Sequence, residues 1–322
     1  MKNNKFKWML IAFSITILFS CESQQLEIPN SDSYSKVYLT DGQNSPIEYQ
    51  YEMKDEVHSI LLGAGYGGFL NLDEDITVGL KFDPELINDF NTSNQTNYPL
   101  ISEESFTLSS NTVVLPAGGT NSNSINIEIN PSKLLGPSEF LLPISIENVT
   151  GNVFVNDDLK TVYYLISGFY DENPFEYFSR DKWTVHDYSS DENDSGGGRA
   201  HHAIDGNMET FWHSRWRKDP DGNRPGHPHF LAFDMNEVKT IHGLEIFGRT
   251  NKVGADGNPK NIYVELSIDG EEWIMTKSYV LDNISSNIIY FPTAMNARYF
   301  KMTIDESHTG VYRSHIAEIE AF

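Results

Sequence analysis

Apolar and polar residues alternate along much of the chain. Ile125, Ile127 and Ile129 are separated by Asn126 and Glu128, the period of two expected of a strand with one buried face. Ile262, Val264 and Leu266 repeat the pattern, as do Phe300, Met302 and Ile304. Thr77 to Phe82, Leu142 to Ile146 and Thr161 to Ile166 are further strands by composition. Gly, Asn, Ser and Pro divide these short runs, which predicts antiparallel sandwiches. One short helix is expected at Asp83 to Ile87. Asp83 can cap it, and Pro84 suits a first helical position, where its missing N–H has no partner to lose.

The first twenty residues follow another pattern. Lys2, Lys5 and Lys7 precede an apolar run from Trp8 to Phe19, too short for a stable span of ~30 Å of hydrocarbon. The run reads as the core of an export signal, residues 1–20. The only cysteine, Cys21, ends it, with Ser20 before it and Leu18 three positions back. This arrangement resembles the lipobox of bacterial lipoproteins, in which the cysteine is acylated and becomes the first mature residue. A lipid anchor in the outer membrane, facing the cell surface, is the expected location, with Glu22 the only acid directly after the anchor. Residues 21–35 are polar and read as a tether.

Charge narrows the partners. The chain carries −23 at neutral pH, and loss of the leader removes three lysines and no acid, leaving 20 basic against 46 acidic residues. Such a surface repels nucleic acid and anionic headgroups and favours neutral partners. Composition also changes near residue 175. Residues 21–178 hold 5 Lys+Arg against 24 Asp+Glu, with one histidine and no tryptophan. Residues 179–322 hold 15 against 22, with nine histidines and four tryptophans. The turn-rich stretch Gly168 to Pro174 is the natural joint. Two domains follow, 36–170 and 179–322, with a linker at 171–178. The expected fold class is all-β, two β-sandwich domains of which the first is Ig-like.

In the first domain, Ile76 to Leu86, Tyr98 to Leu108 and Thr161 to Tyr164 resemble in order the DUF1735-type N-terminal domains of Bacteroidetes lipoproteins. The resemblance covers about 130 residues and implies a spacer or docking module, with outer-membrane glycan-transporter components as candidate partners. In the second domain the ordered pieces are Ala203 to Trp216, Pro228 to Asp234, Gly243 to Ile246, Ser267 to Trp273, Ala297 to Lys301 and Ala317 to Ile319. Their order resembles the F5/8 type C, or discoidin, family, many of whose bacterial members are family 32 carbohydrate-binding modules. The resemblance implies an eight-stranded jelly roll with Trp212 and Trp273 in its core.

The Asp205-Gly206-Asn207 turn offers hard oxygens of the kind calcium prefers. The resemblance implies a structural Ca²⁺ held by the side chains of Asp205, Thr210 and Glu318 and the carbonyls of His202, Asn207 and Ala317. An ordinary Asx turn without metal is the alternative reading. For the ligand, a sugar needs an aromatic plane beside fixed donors and acceptors. The resemblance to galactose-binding members implies His213, Arg249 and Asn258 as hydrogen-bonding residues, with Tyr312 or Trp216 stacking on the sugar. His213 reads equally as a structural histidine and Arg249 as a solvated loop charge. The loop length before Asn258 departs from the galactose-binding pattern, which leaves the sugar open.

Enzyme chemistry has little support. Asp219, Asp221, Glu271 and Glu272 are expected surface acids, whereas glycoside hydrolysis needs two carboxyls opposed across a cleft. The pairs His201-His202 and His227/His229 lack a third ligand at zinc spacing. The expectation is a non-catalytic envelope lipoprotein that captures glycan, the alternative being a discoidin domain that recognises a protein partner in adhesion or assembly.

Overall fold

The computed structural model describes residues 34–192, 198–249 and 256–322. The leader, Cys21 and nearly all of the tether lie outside the described residues, as does 250–255 of the loop between Arg249 and Asn258.

The first half forms ten strands: β1 (Lys36–Leu39), β2 (Ile47–Glu52), β3 (His58–Gly67), β4 (Ile76–Phe82), β5 (Phe106–Leu108), β6 (Thr112–Leu115), β7 (Asn121–Ile129), β8 (Glu139–Val149), β9 (Phe154–Val155) and β10 (Thr161–Phe169). They build two five-stranded sheets, β5-β7-β3-β1-β9 and β2-β10-β8-β4-β6. The alternating residues meet between the sheets: Ile125, Ile127 and Ile129 face Leu142, Ile144, Val162 and Tyr164 in one core. The sandwich is not wholly antiparallel. β1 runs parallel to β9 and β2 parallel to β10, because chain that has crossed between sheets returns to an edge in the same direction.

The expected helix is present but longer and differently started. Pro84–Leu86 makes a single 3-10 turn that leads into α1 (Ile87–Asn94). Asp83 does not cap it; its carboxylate pairs with Lys81 at 3.1 Å. The nearby ammonium outcompetes the backbone N–H groups for the same oxygens.

The second half forms β11 (Thr184–Tyr188), β12 (Trp212–His213), β13 (His229–Phe247), β14 (Pro259–Ser267), β15 (Ile274–Val280), β16 (Ser286–Ser307), β17 (His315–Ile316) and β18 (Glu318–Ala321). One sheet runs β11-β13-β16-β14-β15, with β18 added on β13, and β12 pairs with β17 apart from it. The two long strands β13 and β16 break register between Asp234 and Lys239 and again between Ile241 and Gly243. Such irregularities bend a strand, so one ladder serves two walls of a jelly roll. Ile262, Val264, Leu266, Phe300, Met302 and Ile304 all point into its core.

The two core tryptophans are not the expected pair. Trp212 is fully buried, but Trp273 is only partly covered, with the Lys301 ammonium 4.8 Å above its ring. Trp273 precedes the outermost strand β15, where no neighbouring strand shields it. Trp183 is the second enclosed tryptophan, edge-on to Phe300 at 5.5 Å.

The joint between the halves is packed. Phe175 stacks on His242 at 3.9 Å and lies parallel to Phe322 at 5.8 Å, while Tyr170 meets Tyr290 at 4.9 Å. Gly136, in the loop before β8, lies so close to the Pro292 carbonyl that a β-carbon there would overlap it.

Candidate functional site

Two groups of residues stand out at the chain segments flanking β12. The first is acidic. Gly206 has φ of 79°, a left-handed conformation that a side chain would strain, and it turns the chain so that Asp205 faces back on its own loop. The Asp205 carboxylate accepts from the Asn207 N–H at 2.9 Å and from the Thr210 hydroxyl at 2.9 and 2.8 Å. Glu318, at the start of β18, is fully buried and accepts from the same Asn207 N–H at 3.0 Å. The two carboxyl groups lie within hydrogen-bonding reach of each other. Arg180 binds the other side of Glu318 and reaches Glu320 at 2.9 Å.

Burial, and then the neighbouring Asp205 carboxyl, push the Glu318 carboxyl up to about 7, with Arg180 opposing. For Asp205 burial again pushes upward, but the Thr210 hydroxyl and the Asn207 N–H outweigh it and hold the group below the usual range. Two facing carboxyls need either a shared proton or a cation between them. Asp205, Asn207, Thr210 and Glu318 are thus brought together as expected, and the chemistry of this donor set fits a hard divalent cation. His202 and Ala317 lie in the segments leading into the same corner.

The second group is aromatic and cationic. Alternation along Phe211-Trp212-His213 sends Trp212 into the core, where its Nε1 donates to the Ser190 carbonyl at 2.9 Å. Phe211 and His213 therefore share the opposite side. The Arg249 guanidinium lies 3.6 Å from the centre of the Phe211 ring, and its Nε is buried with no partner among the described residues. His213 is 8% exposed and its Nδ1 is 2.6 Å from the Ser214 carbonyl. Burial first, then the positive charges of Arg249 and Arg313, lower its pKa. The imidazole is thus neutral at physiological pH, with its Nδ1–H donating to Ser214.

Trp216 is 40% exposed, and the Tyr312 hydroxyl donates to its carbonyl at 3.2 Å. Arg217 lies over the Trp216 ring at 5.0 Å, and Arg224 and Arg313 lie over Tyr312 at 5.2 and 5.9 Å. Asn258 departs from the expectation. It is 3% exposed, and its Nδ2 donates to Asn283 at 2.8 Å, so it braces the base of the loop and does not present its amide outward. The reason is local: Asn258 immediately precedes β14, where its backbone carbonyl also accepts from His308.

The loop carrying Tyr312 and Arg313 is fixed from behind. His227 Nε2 lies 3.0 Å from Ser307 Oγ and 3.1 Å from Ser314 Oγ, and His229 Nε2 donates to the Tyr312 carbonyl at 2.8 Å. The histidine pair is therefore a brace for this loop. Burial lowers the pKa of His229, against the pull of that carbonyl. The unfolded chain takes up this proton near pH 6.5 and the folded chain does so only lower, so His229 costs stability as pH falls below about 6.5. His229→Gln should flatten the decline in stability between pH 7 and 5, by at most ~1.4 kcal/mol per pH unit, in denaturant titrations at each pH.

Residues 186–319 match the model of the F5/8 type C domain. The chain carries an F5/8 type C domain. Residues 31–153 match a family model for an N-terminal domain, of the DUF1735 type. The sialidase of Micromonospora viridifaciens is 30% identical over 141 residues, 43% of this chain and 21% of that protein. The galactose oxidase of Gibberella zeae is 31% identical over 151 residues, 45% of this chain and 20% of that protein. The chain thus spans about a fifth of the length of these curated relatives. The C-terminal domain of a chitobiase from Bacteroides fragilis shares 28% identity, covers 46% of this chain and 97% of its own, and superposes with a TM-score of 0.41.

Within the F5/8 type C domain, sequence reasoning missed Phe211, Arg217, Arg224 and Arg313. Phe211 was open to discovery, since a strand that buries Trp212 must turn its neighbours the other way. Arg217 and Arg313 directly follow the aromatic residues they lie over, whereas Arg224 reaches Tyr312, 88 residues away, and carried no local signal.

Proposed function

We propose that this protein is a non-catalytic envelope lipoprotein that captures carbohydrate on the loop face of its F5/8 type C domain. The observation that carries the reading is the half-exposed Trp216 beside Tyr312, with Arg313 of the Tyr312 loop and Arg249, stacked on Phe211, both close enough to act on His213. Aromatic planes beside fixed polar groups are what a sugar ring, apolar on one face and hydroxylated at its rim, requires. Two curated relatives are named for sugars, the sialidase and the galactose oxidase. In this reading Trp216 and Tyr312 pack on the sugar, Arg249 donates to its oxygens, and His213 positions the Phe211–Arg249 pair from below. Asn258 acts through loop shape.

Titration of the full chain against a panel of mono- and oligosaccharides tests the reading. One shallow site predicts weak binding, Kd on the order of 0.1–1 mM, since few atoms are engaged. Trp216→Ala should weaken it about tenfold or more, on the scale of an aromatic contact. Undiminished binding in Trp216→Ala would move the site elsewhere, and no binding to any sugar would favour a protein ligand.

The acidic corner is proposed to hold a structural Ca²⁺ through Asp205, Thr210, Glu318 and the carbonyls of His202, Asn207 and Ala317. Bound there, the ion supplies charge neutralisation and ties the Asp205 loop to β18. Its role is in stability. Acylation of Cys21 would anchor the chain in the outer membrane, the first sandwich serving as spacer or as a contact for glycan-transporter components. Palmitate labelling of expressing cells should be lost in Cys21→Ser, and protease shaving of intact cells would report outward display.

A further inference from the structure

The proposed sugar site has an unusual polarity. All eight arginines of the chain fall at or after residue 180, and four of them ring this one face in a protein of net charge −23. Of the four arginines outside it, Arg215 is exposed to solvent and the other three are paired with acids. Arg298 makes a two-pronged contact with Asp234 at 2.8 and 2.7 Å, Arg180 is held by Glu318 and Glu320, and Arg199 approaches Asp191 at 3.9 Å. On the face, Arg313 is paired with Asp256 at 2.5 Å and Arg217 lies 3.8 Å from Glu192. Arg249 and Arg224 have no carboxylate partner among the described residues.

Each aromatic ring of the face also carries a guanidinium. Arg249 covers Phe211, Arg217 covers Trp216, and Arg224 and Arg313 flank Tyr312. A guanidinium has five donors and no acceptor. Asp256 and Glu192, acids near the face, already accept from Arg313 and from the Arg217 backbone N–H. A neutral sugar hydroxyl both donates and accepts, and its proton finds few acceptors here. A carboxylate or sulfate only accepts, and planar N–H forks fit its paired oxygens.

We infer that the glycan received by this face is an acidic one, bearing carboxylate or sulfate groups that Arg249 and Arg224 bind. This deepens the proposed function and rests on it. The chain's overall negative charge repels polyanions at long range, and the local cluster acts within about 8 Å, the screening length at physiological salt.

The test is calorimetric titration of the full chain with matched pairs: tri-galacturonate against galactotriose, tri-mannuronate against mannotriose, and a sulfated galactan fragment against its desulfated form. Runs at low and at physiological salt complete the set. At least one acidic member should bind about tenfold tighter than its neutral partner, and the preference should shrink several-fold with salt. The uronate and sulfate arms tell which anion is used. Arg224→Gln, an exposed substitution, and Arg249→Gln should each reduce the preference, and their unchanged melting temperatures would separate this from misfolding. Binding of neutral and acidic members within twofold overturns the charge preference and leaves carbohydrate capture standing. Binding of neither at millimolar concentration removes both.

Discussion

Trp212→Ala is expected to destabilise the F5/8 type C domain by about 3–5 kcal/mol and to abolish glycan capture with it. The ring is fully enclosed, and its Nε1 satisfies the Ser190 carbonyl at 2.9 Å. Truncation leaves both a void and an unpaired carbonyl, two costs that add. The functional loss follows from position. Trp212 is the inward residue between Phe211 and His213, so its anchoring holds the ring under Arg249 in place. Denaturant unfolding measures the first effect and sugar titration the second. Trp212→Phe should recover most of the stability, because volume matters more here than the one hydrogen bond. A loss below about 1 kcal/mol for Trp212→Ala would mean that β12 is held from elsewhere.

The second large effect is expected at the acidic corner. Arg180→Met removes the cation on one side of the fully buried Glu318 while the Asp205 carboxyl remains on the other. Stripping one partner from a buried ion pair costs about 3–5 kcal/mol, because the remaining charge is left in a poor solvent for it. If the corner holds calcium, the penalty depends on the ion. Calcium at one hundred times its Kd contributes about 2.7 kcal/mol. Chelation should therefore lower the melting temperature of the unsubstituted chain by roughly 5–10 °C, at 2–4 °C per kcal/mol. Calcium should in turn restore much of what Arg180→Met loses. Scanning calorimetry with and without chelator checks both. Identical melting curves in the unsubstituted chain would leave Glu318 a purely protein-held group.

Much of this was legible in the sequence. Alternation placed Ile125, Ile127, Ile129, Phe300, Met302 and Ile304 in cores because burial of one face is a property of neighbours two apart. Trp273 was misplaced because a large apolar residue says nothing about whether its strand is central or outermost. Asn258 turned inward for a similar reason: its partner Asn283 is 25 residues away, and no spacing rule foretells it. Asp205, Thr210 and Glu318 do converge, and those residues were reached through an ordered motif at both ends of the domain. The charge sum was the coarsest guide. Summed over the chain, acidity favours neutral partners, yet the arginines that matter gather on one face, and a sum carries no information about where charge sits.

The stacked rings between the sandwiches have a mechanical consequence. Phe175 lies between His242 and Phe322, and Tyr170 rests on Tyr290, so the chain between β10 and β11 is not slack. A pull on the loop face would therefore reach the first sandwich through the packed contacts of Tyr170 on Tyr290 and Gly136 on Pro292 as well as along the chain.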